Sequence, residues 1–142
     1  MYIHLIFGTK GRYPFIKEDV ESSLHSYMAG TFKNLESPAL KINSVPDHIH
    51  ILFRLSKNYP LFKVVEEVKR ASSKWMKEEG VAGFTWQIGY GAFSVSSSKV
   101  ETVTNYITKQ KEHHKRKTYQ EEIEEFFKEY GMSEYDAKYF YD

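Results

Sequence analysis

The sequence predicts an α+β domain: one antiparallel sheet with helices packed on one face, plus a C-terminal helical extension. Three observations lead there. The length of 142 residues is that of one ordinary domain, enough for a single core and too short for two. The composition, 41% hydrophobic, 27% charged and 16% aromatic with eight Gly and four Pro, is globular and excludes collagen-like, low-complexity and wholly disordered chains. Local signals run strand, helix, strand, strand, helix, strand, and then helices.

Tyr2-Ile3-His4-Leu5-Ile6-Phe7 is β-branched or aromatic at nearly every position and ends at Gly8, which predicts a buried strand. Thr9-Lys10-Gly11-Arg12-Tyr13-Pro14 is a basic turn. Val20, Leu24, Tyr27, Met28, Thr31, Phe32 and Leu35 then share one helix face, and Pro38 ends it. Leu40 to Val45 alternates as a half-exposed strand, Pro46-Asp47 turns, and His48 to Leu55 forms the second arm of a hairpin. Pro60 opens a second amphipathic helix, with Leu61, Val64, Val65, Val68, Trp75 and Met76 on one side, closing near Gly80. Phe84 to Ser96 favours a strand that Gly89 and Gly91 bend or bulge. Ser98-Lys99-Val100-Glu101 has the capping-box form and starts a third helix expected to reach about Lys117; Thr118-Tyr119-Gln120-Glu121 repeats the device for a fourth, with Ile123, Phe126 and Phe127, ending at Gly131. Tyr135 to Tyr141 is too aromatic for a free tail and is expected to dock on the body or on a partner. This order is that of the ferredoxin-like, or RRM-like, split βαβ arrangement. Residues 1–117 are read as the body of the domain and 118–142 as an acidic, aromatic C-terminal helical extension of the same domain.

There is no cysteine, which removes disulfide scaffolds, thiolate zinc sites and cysteine nucleophiles. The N-terminus lacks a basic leader and no apolar run approaches the roughly 18 residues that cross a bilayer, so the expected location is the cytoplasm, with no membrane contact. The net charge is +1, unevenly spread: from Thr118 to Asp142 eight acidic residues face only Lys128 and Lys138, leaving the first 117 residues at +7. A basic body suits a polyanion such as nucleic acid, and an acidic tail suits shielding or solubility.

Two constellations carry chemistry. In Pro46-Asp47-His48-Ile49-His50-Ile51-Leu52, strand alternation sets His48 and His50 side by side while Ile49, Ile51, Phe53 and Leu55 enter the opposite face. Neutral imidazoles so placed suit a divalent transition ion or, with oxygen co-ligands, an ion that activates phosphate; an H-x-H pair also arises by chance among six histidines. On the third helix Tyr106 and Gln110 fall on one face about a turn apart, with His113 in the same sector, bordering an apolar stripe of Val100, Val103, Ile107 and His114. Tyr106 is placed to attack a phosphate and Gln110 to give an ion a hard oxygen. Packing is the competing account of any one of eleven tyrosines. His113-His114 is a poor chelate, since adjacent helical residues point about 100° apart.

The Pro46–Leu52 run, followed by Tyr106 and Gln110 on a capped helix, resembles the HUH-type single-tyrosine transposases of the simplest bacterial insertion sequences, the IS-two-hundred-like group that includes the REP-associated tyrosine transposases. Ile3 to Arg12 resembles that family's first strand and basic turn, and Trp86 to Ser96 its segment before the tyrosine helix. The likeness covers most of residues 2–117. It implies that His48, His50 and Gln110 ligate one divalent ion, Mg2+ or Mn2+, and that Tyr106 is the nucleophile. The implied reaction cuts and rejoins single-stranded DNA at hairpin-bearing ends through a 5′-phosphotyrosine. Also implied is a homodimer whose active sites are sometimes shared between subunits. No family motif falls in the C-terminal extension.

Expected DNA contacts are Lys10 and Arg12 in the first turn, Lys69, Arg70 and Lys74 on the second helix, and Lys109, Lys111, Lys115, Arg116 and Lys117 on and after the third. A solvated helix face accounts equally for any one of them. Two other classes fit the same residues. One is a metal-dependent nuclease that uses water at the histidines; the other is a non-catalytic module binding single-strand hairpins through aromatics and cations.

Overall fold

The computed structural model describes residues 1–112 and 118–129. Its sheet is four-stranded with order β2-β3-β1-β4, built from β1 (Tyr2–Gly8), β2 (Ala39–Val45), β3 (His48–Arg54) and β4 (Gly91–Val95). All neighbouring strands are antiparallel. The connections run over α1 (Glu18–Asn34) and α2 (Leu61–Glu78), and the sheet is followed by α3 (Val100–Thr108) and α4 (Tyr119–Glu129). This is the expected split βαβ order, with β1 and β3 at the centre.

Strand alternation divides the sheet into two faces. Ile3, Leu5, Phe7, Ile49, Ile51 and Phe53 meet Leu24, Met28 and Phe32 of α1 and Val64, Val65, Val68 and Met76 of α2 in one apolar cluster. That is the helix-covered face the sequence predicted. The other face presents His4, Ile6, His48, His50 and Leu52. Leu52 and Val95 pack there with Val103 and Ile107 of α3. The central strands are covered on both sides, so their near-continuous apolar character is a burial signal.

Local chemistry moves some expected boundaries. The Ser98/Glu101 box does not form: a short 3-10 turn, Ser97–Lys99, precedes α3, whose N-cap is Lys99 with no side-chain cap. α3 also stops at Thr108 instead of running to Lys117. Asn43 Nδ2 on β2 donates to the carbonyls of Ile107 (2.9 Å) and Thr108 (3.3 Å), the acceptors that continuation of the helix requires. Gln110 to Glu112 form a separate helical turn. By contrast the Thr118/Glu121 box forms in both directions: Thr118 N–H donates to Glu121 Oε1 (3.3 Å) and Glu121 N–H to Thr118 Oγ1 (3.2 Å). The expected Phe84–Ser96 strand shortens to β4 plus one bridge, Thr9 to Trp86. The cause is Lys69, whose ammonium takes the carbonyls of Gln87 (2.6 Å), Ile88 (3.1 Å) and Gly89 (3.3 Å) away from any ladder. His113, His114, Lys115, Arg116, Lys117 and the aromatic end at 135–141 lie outside the described residues.

Candidate active site

The β2–β3 hairpin turns at Pro46-Asp47, with Val45 opposite His48, and this register sends His48 and His50 to the face away from α1 and α2. Both are fully buried. Their outer nitrogens have partners: His48 Nδ1 lies 2.8 Å from Asp47 Oδ1 and His50 Nδ1 lies 3.0 Å from His4 Nε2 on β1. Such contacts fix ring orientation and leave each Nε2 directed inward.

From the opposite side come Tyr106 on α3, Gln110 in the following turn and Glu122 on α4. Glu122 is the hub. Its Oε2 is 3.2 Å from His48 Nε2 and its Oε1 3.2 Å from His50 Nε2. Gln110 Nε2 donates to both oxygens at 2.9 and 3.0 Å and lies 3.1 Å from His48 Nε2. The Tyr106 hydroxyl donates to Glu122 Oε1. Tyr106 also sets its ring against His50 and His4, with centroids 5.8 and 6.3 Å apart. Gln110 is fully buried and Glu122 1% exposed, while Tyr106 keeps partial exposure. Of these three side chains Tyr106 is therefore the one most open to solvent.

The electrostatics follow from this packing. Burial works against charge on His48, yet the Asp47 and Glu122 hydrogen bonds outweigh it and raise its pKa above the ordinary value. Burial alone would push Glu122 up, but hydrogen bonds from His48 and His50 hold its carboxyl well below the carboxylate range. Burial and the neighbouring His50 push His4 down, keeping it neutral. Both shifts favour the charged forms of His48 and Glu122, with the carboxylate closed in by imidazoles, an amide and a phenol.

The same atoms fit a divalent cation. One ligand atom from each of His48, His50 and Glu122 lies within 4.8 Å of the others. Gln110 Oε1 is buried with no hydrogen-bond partner among the described residues, and turning the amide over presents that oxygen to the same pocket. Two imidazole nitrogens, a carboxylate and an amide oxygen are a mixed donor set suited to Mn2+ or Mg2+ and to later transition ions.

The four residues singled out for chemistry in the sequence, His48, His50, Tyr106 and Gln110, therefore converge within a single chain. Glu122 was missed, lying in the acidic extension assigned no chemistry. The usable signal was the Thr118 box, which fixes the phase of α4 and puts Glu122 beside its buried Ile123. His4 and Asp47 were missed as supports for the two rings. The expected DNA contacts divide. Lys10 is exposed and Arg12 half-buried in the turn after β1. That turn is tied to the hairpin by Thr9 N–H donating to Asp47 O (3.0 Å). Lys69 is turned inward onto three carbonyls, Arg70 pairs with Glu67 (2.5 Å), and Lys111 pairs with Glu21.

The family model described as Transposase IS200 like matches residues 1–110. No curated protein matches the chain. Among solved structures, a candidate transposase from Deinococcus radiodurans R1 superposes with a TM-score of 0.63 at 21% identity, covering 78% of this chain and 90% of that one. A REP-associated tyrosine transposase bound to a REP hairpin superposes at 0.62 and 12% identity, covering 80% and 67%. At these identities the structures establish the fold, and the sequence match establishes the family. With a tyrosine, an H-x-H pair and a glutamine in one buried pocket, the chain belongs to the IS200-like transposase family.

Proposed function

We propose that this transposase cuts and rejoins single-stranded DNA at hairpin-bearing ends, with Tyr106 as covalent nucleophile and a divalent cation, Mg2+ or Mn2+, held by His48, His50, Gln110 and Glu122. One observation carries the reading: the Tyr106 hydroxyl shares a carboxylate with both histidines. A tyrosine placed there only for packing has no need of that arrangement. Tyr106 Oη attacks the scissile phosphorus and gives up its proton to solvent; the bond to the 3′-oxygen breaks and that oxygen takes up a proton from solvent, leaving a 5′-phosphotyrosine and a 3′-hydroxyl. Because the phosphodiester energy is kept in the adduct, a second 3′-hydroxyl can displace Tyr106 without a nucleotide cofactor. A free phenol ionises near pH 10, so the attacking oxygen needs a nearby positive charge at neutral pH, which the bound cation would supply. When bound, the cation polarises a phosphoryl oxygen and stabilises the charge that develops on it.

Lys10 and Arg12 adjoin the hairpin turn and supply phosphate contacts, with Lys115, Arg116 and Lys117 following the pocket in sequence. The homodimer implied by the resemblance brings two such sites together without either needing the partner's tyrosine. Among the described residues no helix is long and apolar enough to cross a membrane, and the proposed substrate places the protein in the cytoplasm. The test is cleavage of single-stranded DNA from both flanks of its own gene, with Mg2+, Mn2+ or EDTA. The expected result is cation-dependent cutting that Tyr106→Phe abolishes while binding persists. Cutting that survives Tyr106→Phe means a water nuclease, and binding without cutting under every cation means a hairpin-binding module.

A further inference from the structure

The loop between the Trp86 bridge and β4 is held more firmly than a connection needs. Trp86 Nε1 donates to Ser72 Oγ on α2 (3.0 Å). Gln87 N–H donates to Gly8 O (2.9 Å), and the Gln87 side chain accepts from Gly8 N–H. Lys69 Nζ then takes three successive carbonyls, those of Gln87, Ile88 and Gly89, and lies 5.4 Å from the centroid of Phe7.

Two consequences follow from elementary geometry. In a trans peptide unit the N–H points opposite to the C=O. Carbonyls drawn inward onto Lys69 therefore turn the N–H groups of Ile88, Gly89 and Tyr90 outward. None of the three donates a hydrogen bond to another described residue. Second, Ile88 stands 85% exposed at the tip, more so than any other large hydrophobic residue among those described. Single exposed apolar residues are common; one fixed on a loop with four internal anchors, over the half-buried Lys69 cation and beside outward donors, is a built surface. It sits at the functional end of the sheet: Gln87 is bonded to Gly8, and Gly8 is paired with His48. The Lys10–Arg12 turn leaves from the same place, with Lys10 N–H on Thr85 O (2.9 Å).

We infer that the Gln87–Tyr90 loop is a strand-guiding contact for single-stranded DNA, its N–H groups meeting phosphate oxygens while Ile88 packs on an unstacked base or sugar. Lys69 is the positioning residue beneath it and touches no phosphate. The inference rests on the DNA reading above and assigns Lys69 a role other than the direct contact its charge suggested. Backbone donors backed by positive charge hold phosphate, and apolar side chains inserted beside bases are a recurrent nucleic-acid contact.

The experiment is fluorescence anisotropy with labelled single-stranded DNA from the flanks of its own gene, over a salt series, for wild type, Ile88→Ala, Lys69→Met and Lys10→Ala. Ile88→Ala, at an exposed position, leaves thermal unfolding unchanged and weakens binding roughly fivefold, with the salt slope unchanged. Lys69→Met weakens binding with the same slope, whereas Lys10→Ala lowers the slope by about 0.7, the value for one lost single-strand phosphate contact. Unaltered affinity in Ile88→Ala, or a slope reduced by about 0.7 in Lys69→Met, overturns the inference and leaves the DNA reading standing. A wild type that does not bind the DNA at any salt overturns both.

Discussion

Replacing Glu122 by Gln keeps the shape of the hub and removes its charge. In EDTA the wild-type pocket holds an imidazolium–carboxylate pair with charge-assisted hydrogen bonds, each contributing about 1.5–3 kcal/mol. His48 can shed its proton in the variant, which recovers part of this, so the expected loss is about 2 kcal/mol. The pH dependence has a definite sign. Glu122 has a depressed pKa, so its contribution is present above the ordinary carboxylate value of about 4.3 and is lost as the pH falls further. The pKa of His48 is raised, so its contribution is complete below about 6.5 and is lost as the pH rises through the elevated folded value. Urea unfolding in EDTA across this range should give a stability maximum for wild type and a flattened profile for Glu122→Gln. With Mn2+ added, the variant should gain less than wild type, its cation affinity falling at least about tenfold, or about 1.4 kcal/mol. Equal stability in EDTA together with equal gain from Mn2+ would refute the assignment of Glu122 to the pocket.

Three further substitutions probe the supports. Asp47→Ala removes the partner of His48 Nδ1 at a half-buried position, so Mn2+ affinity by calorimetry should fall about 10–100-fold with the fold intact. Asn43→Ala releases the Ile107 and Thr108 carbonyls that stop α3; stability should drop by about 1 kcal/mol in urea, and DNA cleavage should fall further because Gln110 loses its place. Ser72→Ala leaves the buried Trp86 Nε1 without its acceptor, and unfolding should report a loss of about 1–3 kcal/mol.

Most of the sheet was legible because period-two and period-3.6 signals are local. β1, the β2–β3 hairpin, α1 and α2 follow from apolar spacing and from Pro46, Pro38 and Pro60. The boundaries that moved did so through partners distant in sequence. Asn43 ends α3 across 64 residues, and Lys69 unpairs the loop before β4. Neither is visible in a window of neighbours. His48, His50, Tyr106 and Gln110 were readable because a strand alternates and because Tyr106 and Gln110 stayed near one another across the break at Lys109. Glu122 was not, since a carboxylate that becomes buried looks the same in sequence as the exposed Glu121, Glu124 and Glu125 around it. Only docking of α4 against the histidines separates them.

The central claim is that Tyr106 becomes bonded to DNA, and mass spectrometry of the adduct tests it most directly. After reaction with single-stranded flank DNA and Mn2+, followed by nuclease and trypsin digestion, peptide 100–109 should carry a 5′-phosphonucleotide on Tyr106. A link on another residue, or DNA cut with no linked peptide, would contradict the account.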